Sequence, residues 1–277
     1  DEHQLIGGFC FLKVKKFGLD FIKLPPYTPH CCFFFATESK NNASRTTFSK
    51  EVLTEVCNFI SAQKAKLTIL AFPSEVVDLQ PFIWEKYKVV PNYTYRIDLA
   101  LSLEQIVSNF DPKNRNVINK AVKENVSVSF NTIKKEELYA FFKNALNTAG
   151  ANVYDAELEG VFKRFADENN SFSAEAWKEG KLIGIVFCIY DRNTCYYLLG
   201  GVDKTAGLGG INNLLVLKSI ERSKELGCRI FDFEGSMLKG VEKFFRSFGG
   251  ELFPYYTVNK ASLPLEIALK LRKRELF

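Results

Sequence analysis

Residues 195–210 read Cys-Tyr-Tyr-Leu-Leu-Gly-Gly-Val-Asp-Lys-Thr-Ala-Gly-Leu-Gly-Gly, and an apolar run with helical spacing follows at 211–226. A strand that breaks into glycines and re-forms as a helix leaves the first helical N–H groups facing the loop, which suits an anion such as a pyrophosphate. Glycine there lets the backbone turn sharply and approach a ligand closely. Lys204, Gly207, Gly209 and Gly210 are therefore candidates for holding the phosphates of a bound molecule. The loop lacks the Gly-Lys-Ser/Thr of a Walker loop. It is not a dinucleotide fingerprint either, because the strand pattern before it is antiparallel. A plain strand-to-helix connection would also look like this.

Working outward, residues 172–177, 182–190 and 195–202 read as three strands, the first two joined by a Glu179-Gly180 turn. A buried strand is expected at 229–234, a short helix at 238–248, a last strand at 251–258 and a basic helix at 264–277. Upstream, helices are expected at 103–110, 115–124, 134–149 and 156–169, with a strand at 126–132. The first hundred residues give strands at 5–14, 19–24, 31–37, 67–72 and 93–99, a stiff loop at 24–29, a polar loop at 38–46 and a helix at 48–63. The order predicts a mixed α/β protein of the α+β type, its mostly antiparallel sheets flanked by helices.

Composition narrows the function classes. The chain has 277 residues, 47% hydrophobic and 25% charged, which is the profile of a globular protein and excludes disordered and collagen-like ones. A net charge of +5 is too mild for a duplex-binding stripe, so DNA is not expected as a partner. Seven scattered cysteines without a CxxC pair, and only two histidines (His3 and His30), offer no zinc-ligand spacing. The cysteines sit mostly in apolar runs, which favours a reducing, cytoplasmic setting. No apolar stretch approaches the roughly 18 residues of a spanning helix. The chain opens at Asp1 without Met and enters a strand-like run almost at once, so native residues are expected upstream.

Three constellations carry chemistry. In 238–248, Val241, Phe244, Phe245 and Phe248 fall on one face as core, and Lys239, Lys243 and Arg246 form a stripe on the other. Such a stripe can hold phosphates, or it can be an ordinary solvated face. Asp232 and Glu234 alternate with Phe231 and Phe233, so both carboxylates are expected on one side of a strand, where burial would fit either as general base for an amine. Tyrosine can supply the proton to a leaving group. Tyr196 and Tyr197, and Tyr255 and Tyr256, are adjacent pairs of which one member each can face a cleft. The plain alternatives are a helix cap for Asp232 and core roles for the tyrosines. No Gly-x-Ser-x-Gly elbow is present. The basic tail at 270–274 suits RNA or an anionic membrane, or simply an exposed terminal helix.

Lys204-x-x-Gly207-x-Gly209 resembles the acyl-CoA motif of the GNAT acyltransferases, Arg/Gln-x-x-Gly-x-Gly/Ala, with Lys in first place. Residues 231–236 (Phe-Asp-Phe-Glu-Gly-Ser) and 241–250 (Val-Glu-Lys-Phe-Phe-Arg-Ser-Phe-Gly-Gly) resemble the C-terminal signature of FemAB-like (FemX-like) proteins, with Arg246 where that family usually has Lys. Residues 115–128 resemble the opening of the family's second domain, and the 24–29 loop with its preceding hairpin resembles part of the first. The resemblance implies two tandem GNAT-like domains, 1–100 and 101–277, with 260–277 packing back on the first. No coiled-coil arm of the kind some members carry is seen.

It also implies direct transfer of an acyl or aminoacyl group, from acyl-CoA (acetyl-CoA) or aminoacyl-tRNA, to the amine of a small molecule or a peptidoglycan precursor, without metal. In that frame Glu234, Asp232, Tyr197 and Tyr256 are the catalytic candidates. Lys204, Gly207, Gly209 and Gly210 would hold the donor, and N–H groups near 199–201 would polarise its carbonyl. Lys23, Tyr27, Arg115, Lys239, Lys243 and Arg246 are the substrate-binding candidates, the acceptor lying near Lys23, Tyr27, Arg115 and Glu234. The rivals are a non-catalytic GNAT-like module that binds a UDP-sugar or peptide, and a binder of RNA ends.

Overall fold

The computed structural model describes residues 5–37, 41–167, 169–272 and 276. The chain forms two compact units, one of residues 1–93 with 254–277 and the other of 94–253. It is a mixed α/β protein throughout, with mixed sheets flanked by helices.

The first unit opens with β1 (Gly7–Phe9), β2 (Leu12–Lys16), β3 (Leu19–Lys23) and β4 (Phe33–Phe35). β1 pairs antiparallel with β4. β2 and β3 form a hairpin whose turn, Phe17-Gly18, has both φ angles positive (52° and 76°), the geometry that matches the twist of two paired strands. α1 (Asn42–Ala62) starts earlier than its apolar spacing predicts, because the Asn41 side chain accepts the Ser44 N–H at 2.8 Å and caps it. Residues 42–46 are therefore helix rather than loop; 38–40 lie outside the described residues. β5 (Leu67–Ala71), α2 (Gln80–Trp84) and β6 (Lys88–Asp98) follow, β6 running on into the second unit. β3 lies parallel to β5, and Ile22, Leu53, Cys57, Ile60, Leu70, Phe72 and Phe82 form this unit's core.

The second unit continues with α3 (Leu103–Ser108), α4 (Pro112–Lys123), β7 (Ser127–Phe130), α5 (Lys135–Thr148), α6 (Asp155–Phe165), β8 (Ser171–Lys178), β9 (Lys181–Tyr190) and β10 (Thr194–Val202). A 3-10 turn (Lys204–Ala206), α7 (Ile211–Glu225), β11 (Ile230–Asp232), α8 (Lys239–Arg246) and the first residues of β12 (Glu251–Ala261) complete it. β7, β8, β9 and β10 pair antiparallel in sequence order, β10 then lies parallel to β11, and β11 pairs antiparallel with the end of β6. α3 is closed by a Ser102–Gln105 capping box, and α4 begins at Pro112 behind an Asp111 cap. The core gathers Phe110, Phe231, Phe233, Phe245 and Phe248, each burying a large apolar surface. Val241 departs from the expected apolar face of α8 and is exposed.

The chain returns to the first unit along β12, whose 257–261 stretch pairs antiparallel with β5. α9 (Leu263–Arg272) follows; 273–275 and Phe277, the rest of the expected basic tail, lie outside the described residues, as does His3.

Candidate functional site

β10 and β11 pair over only three positions, Thr194↔Ile230, Cys195↔Phe231 and Tyr196↔Asp232. β11 stops there, whereas β10 runs on to Val202 with a bulge between Tyr197 and Leu199, held on its far side by β9. From Tyr197 onward the β11-side edge of β10 has no paired strand among the described residues, so its backbone groups need partners of another kind.

What ends β11 is local and visible. Glu234 has φ of 65° and Gly235 φ of 143°, so the chain leaves extended geometry after Phe233; a left-handed non-glycine residue needs surrounding support. Asp232 supplies it. Its Oδ1 accepts the Glu234 N–H at 2.8 Å and the Thr94 hydroxyl at 2.6 Å, and its Oδ2 accepts Arg96 Nε at 2.6 Å. Both oxygens are occupied and the residue is 3% exposed, so Asp232 holds the turn rather than serving as a base. Asp232 and Glu234 do not project side by side from one strand, contrary to the alternation in the sequence, because the strand has ended between them. Burial raises the Glu234 carboxyl well above the ordinary carboxylate range, the Asp232 charge adds to the rise, and Arg96 opposes it.

Tyr197 projects into the core, its ring against Phe233 and Phe245 with centroids 6.0 and 5.5 Å away. A Cβ on Gly200 would lie 1.7 Å from the Tyr197 hydroxyl and 3.1 Å from Asn212 Oδ1. Gly200 is what lets the phenol lie along β10 toward the start of α7. Burial keeps this hydroxyl protonated far above neutral pH, against a smaller opposite pull from Asn212. Asn212 Oδ1 itself is buried without a hydrogen-bond partner.

The glycine loop is built from unlike parts. Asp203 caps the 3-10 turn through Thr205 and pairs with Lys181 at 2.8 Å, which holds its carboxyl down to about 2. Lys204 is exposed on that turn, and Gly207 (φ 65°) closes it. Gly210 (φ 87°) caps α7 with no side-chain acceptor, and a Cβ there would meet the Val117 carbonyl at 2.6 Å. Gly209 has open space around it.

Against the same end of α7 lies a cavity of about 310 Å³, lined by Lys113, Asn114, Val117, Asn213, Lys243 and Arg246 among others. Two members of the expected stripe, Lys243 and Arg246, converge there with Lys113 from α4. Lys239 is exposed and does not join them. The frame is fixed: Asn213 Nδ2 donates to Asn114 Oδ1 at 2.9 Å, and Asn114 Nδ2 to the Ser247 carbonyl at 3.0 Å. Arg246 Nε donates to Glu242 at 2.8 Å, and the Tyr95 hydroxyl donates to the same oxygen at 2.8 Å. Three cations, Lys113, Lys243 and Arg246, thus line a polar hollow at a helix start together with the Asp111 carboxylate.

The remaining candidates sit elsewhere. Arg115 donates to the carbonyls of Ser108 and Phe110, closing the end of α3, so its guanidinium is engaged by backbone. Lys23 ends β3, Tyr27 sits in the loop beyond it with φ of 60°, and Tyr256 packs against the core of the first unit. Sequence reading missed Lys113, Asn213, Asn212, Thr94 and Arg96. The signal for the asparagines was available: Asn212 and Asn213 stand together in the first turn, between Ile211 and the apolar run Leu214–Leu217. Among the described residues no cluster of His, Cys, Asp or Glu gathers as for a metal.

The Acetyltransferase (GNAT) domain family matches residues 116–246. No curated protein matches the chain. Among solved structures, FemX covers 96% of this chain and 90% of its own at 13% identity with a TM-score of 0.63. L-PGS from Bacillus licheniformis covers 80% and 77% at 15% identity with a TM-score of 0.58. A tandem GNAT protein from the clavulanic acid biosynthesis pathway covers 92% and 83% at 9% identity with a TM-score of 0.50. The β10–β11 pair and the glycine loop both fall inside the segment that matches the Acetyltransferase (GNAT) domain family, and the fold around them is like that of FemX.

Proposed function

We propose that the chain is an N-acyltransferase that moves an acyl or aminoacyl group from a phosphate-bearing carrier to an amine. The observations that carry this reading are β11 ending beside β10 at the turn that holds the half-buried Glu234 carboxyl, and a helix start without a side-chain cap beside a hollow lined by three cations. Donor phosphates would lie on the loop at Lys204, Gly207, Gly209 and Gly210 and at Lys113, Lys243 and Arg246. The acyl carbonyl would lie along the open edge of β10, where backbone N–H groups near 199–201 stabilise the developing oxyanion.

The amine attacks that carbonyl and loses a proton to Glu234, whose raised pKa brings it nearer the amine's working range. The tetrahedral intermediate collapses by breaking the bond to the carrier's sulfur or oxygen. Tyr197, protonated at neutral pH, donates to that leaving atom. Arg96 links the Asp232–Glu234 turn to a cavity of about 720 Å³ lined also by Arg229, Asn109, Asn193, Phe248 and Phe253, which has room for the acceptor, a small molecule or a peptidoglycan precursor.

Thermal denaturation with saturating acetyl-CoA tests the donor site. At about a hundred times its dissociation constant a ligand adds roughly 2.7 kcal/mol, a rise on the order of 5 °C for this size. A rise that Lys204→Ala and Lys243→Ala abolish supports an acyl-CoA donor. With no rise, the same assay with aminoacyl-tRNA decides; failure of both removes the transferase reading in favour of a non-catalytic module.

A further inference from the structure

α9 buries little of itself. Leu263, Ile267 and Leu271 fall at i, i+4 and i+8, so they share one face, and they are 71%, 54% and 78% exposed. Leu265 and Leu269, on the other side, are half-buried. A helix that turns one apolar stripe inward and leaves a second one in water is missing a partner for the second. The charges around the stripe say what kind. Lys270 and Arg272 lie in the last turn, Glu266 is engaged by Lys270 at 2.6 Å, and the sequence continues with Lys273 and Arg274.

The whole first unit leans the same way. Residues 1–93 and 254–277 hold 16 Lys and Arg against 11 Asp and Glu, whereas 94–253 hold 21 of each, so all of the net charge of +5 belongs to the unit that carries α9. That unit also ends its β2–β3 hairpin in Lys15, Lys16 and Phe17, with Phe17 89% exposed and Lys16 over its ring. Apolar side chains flanked by cations, on a helix too short to span, are what lies flat in a lipid headgroup layer, and the described helices include none long and apolar enough to cross one.

We infer that α9 is an interfacial anchor that seats the first unit on an anionic membrane surface, with Leu263, Ile267 and Leu271 entering the headgroup boundary and Lys270 and Arg272 facing lipid phosphates. The inference does not depend on the transferase reading.

Co-sedimentation of the full chain with vesicles tests it, comparing phosphatidylcholine alone with a 7:3 mixture of phosphatidylcholine and phosphatidylglycerol. The expected result is binding to the anionic vesicles that weakens as salt is raised and is absent on the neutral ones. Ile267→Asp with Leu271→Asp should abolish it at an unchanged melting temperature. Should that pair unfold the chain, Lys270→Gln with Arg272→Gln replaces it and should weaken partitioning by about thirtyfold. Equal binding to both vesicle types, no binding to either, or a concentration-dependent dimer dispersed by the same substitutions overturns the proposal, the last by assigning the stripe to a second copy of the chain.

Discussion

The carboxylate of Asp232 accepts the backbone N–H of Glu234, at 2.8 Å, across a turn in which Glu234 has a left-handed φ of 65°. One acidic residue thereby fixes the backbone of another. Arg96 and Thr94 occupy the rest of that carboxylate, Arg96 with a side chain 14% exposed and Thr94 4% exposed. Asp232→Ala leaves a guanidinium and a hydroxyl without their acceptor and the Glu234 turn without its tie. Removing one partner of such a buried pair costs about 3 kcal/mol or more. Urea denaturation should show that loss, and Asp232→Asn, which keeps one acceptor oxygen, should lose less.

Glu234 predicts a pH dependence of opposite sign to that of most carboxylates. Burial raises its folded-state pKa well above the reference of 4.5, so the folded chain binds this proton more tightly than the unfolded chain. The associated stability is fully present below 4.5 and is lost as pH rises through the folded value. Glu234→Gln removes the effect, so its stability relative to the parent should climb between acid and mildly alkaline pH. Turnover of the same variant should fall at least a hundredfold while donor affinity stays, since general-base contributions are typically of that size. A flat stability difference across pH would show that the carboxyl is not desolvated.

The fold was legible because the periodicities were strong and the glycine loop sat between two clear patterns. The order of helices and strands along the second unit follows from them, and the resemblance points to the same GNAT-like architecture. The candidate site was less legible. Alternation at Phe231, Asp232, Phe233 and Glu234 reads as strand, and nothing local in the sequence announces that Asp232 bonds the Glu234 backbone and ends it. Arg115 looks like a ligand cation until the carbonyls of Ser108 and Phe110 are seen to hold it. Lys113 could not be grouped with Lys243 and Arg246, which lie more than a hundred residues away, without the packing of α4 on α7.

The loop glycines should separate by role. At Gly210, φ is 87° and a Cβ would press on the Val117 carbonyl at 2.6 Å; Gly210→Ala should cost about 2 kcal/mol, combining strain and overpacking. Gly207→Ala carries only the left-handed strain, about 1 kcal/mol. Gly209 has neither a positive φ nor any neighbour within 4 Å, so Gly209→Ala should leave the melting temperature unchanged. If a donor's phosphates approach this backbone, the same variant should bind the donor several-fold more weakly. Unaltered donor affinity in Gly209→Ala would place the phosphates away from the loop.

Lys113, Lys243 and Arg246 should act as one anion site rather than as three surface charges. A charge-assisted hydrogen bond to phosphate contributes about 1.5–3 kcal/mol, so Lys243→Ala and Lys113→Ala should each weaken donor binding by tenfold or more. Their effects should also combine non-additively, because both face one hollow. Arg246 differs, since Glu242 already accepts from its Nε at 2.8 Å. Arg246→Lys keeps the charge but loses the fork geometry that pairs carboxylate and phosphate together. Its donor affinity should therefore fall between those of the parent and Arg246→Ala. Titration calorimetry of the four variants checks this, and losses that vanish at half-molar salt but persist at low salt would mark the contribution as mostly screened Coulomb attraction rather than fitted hydrogen bonds.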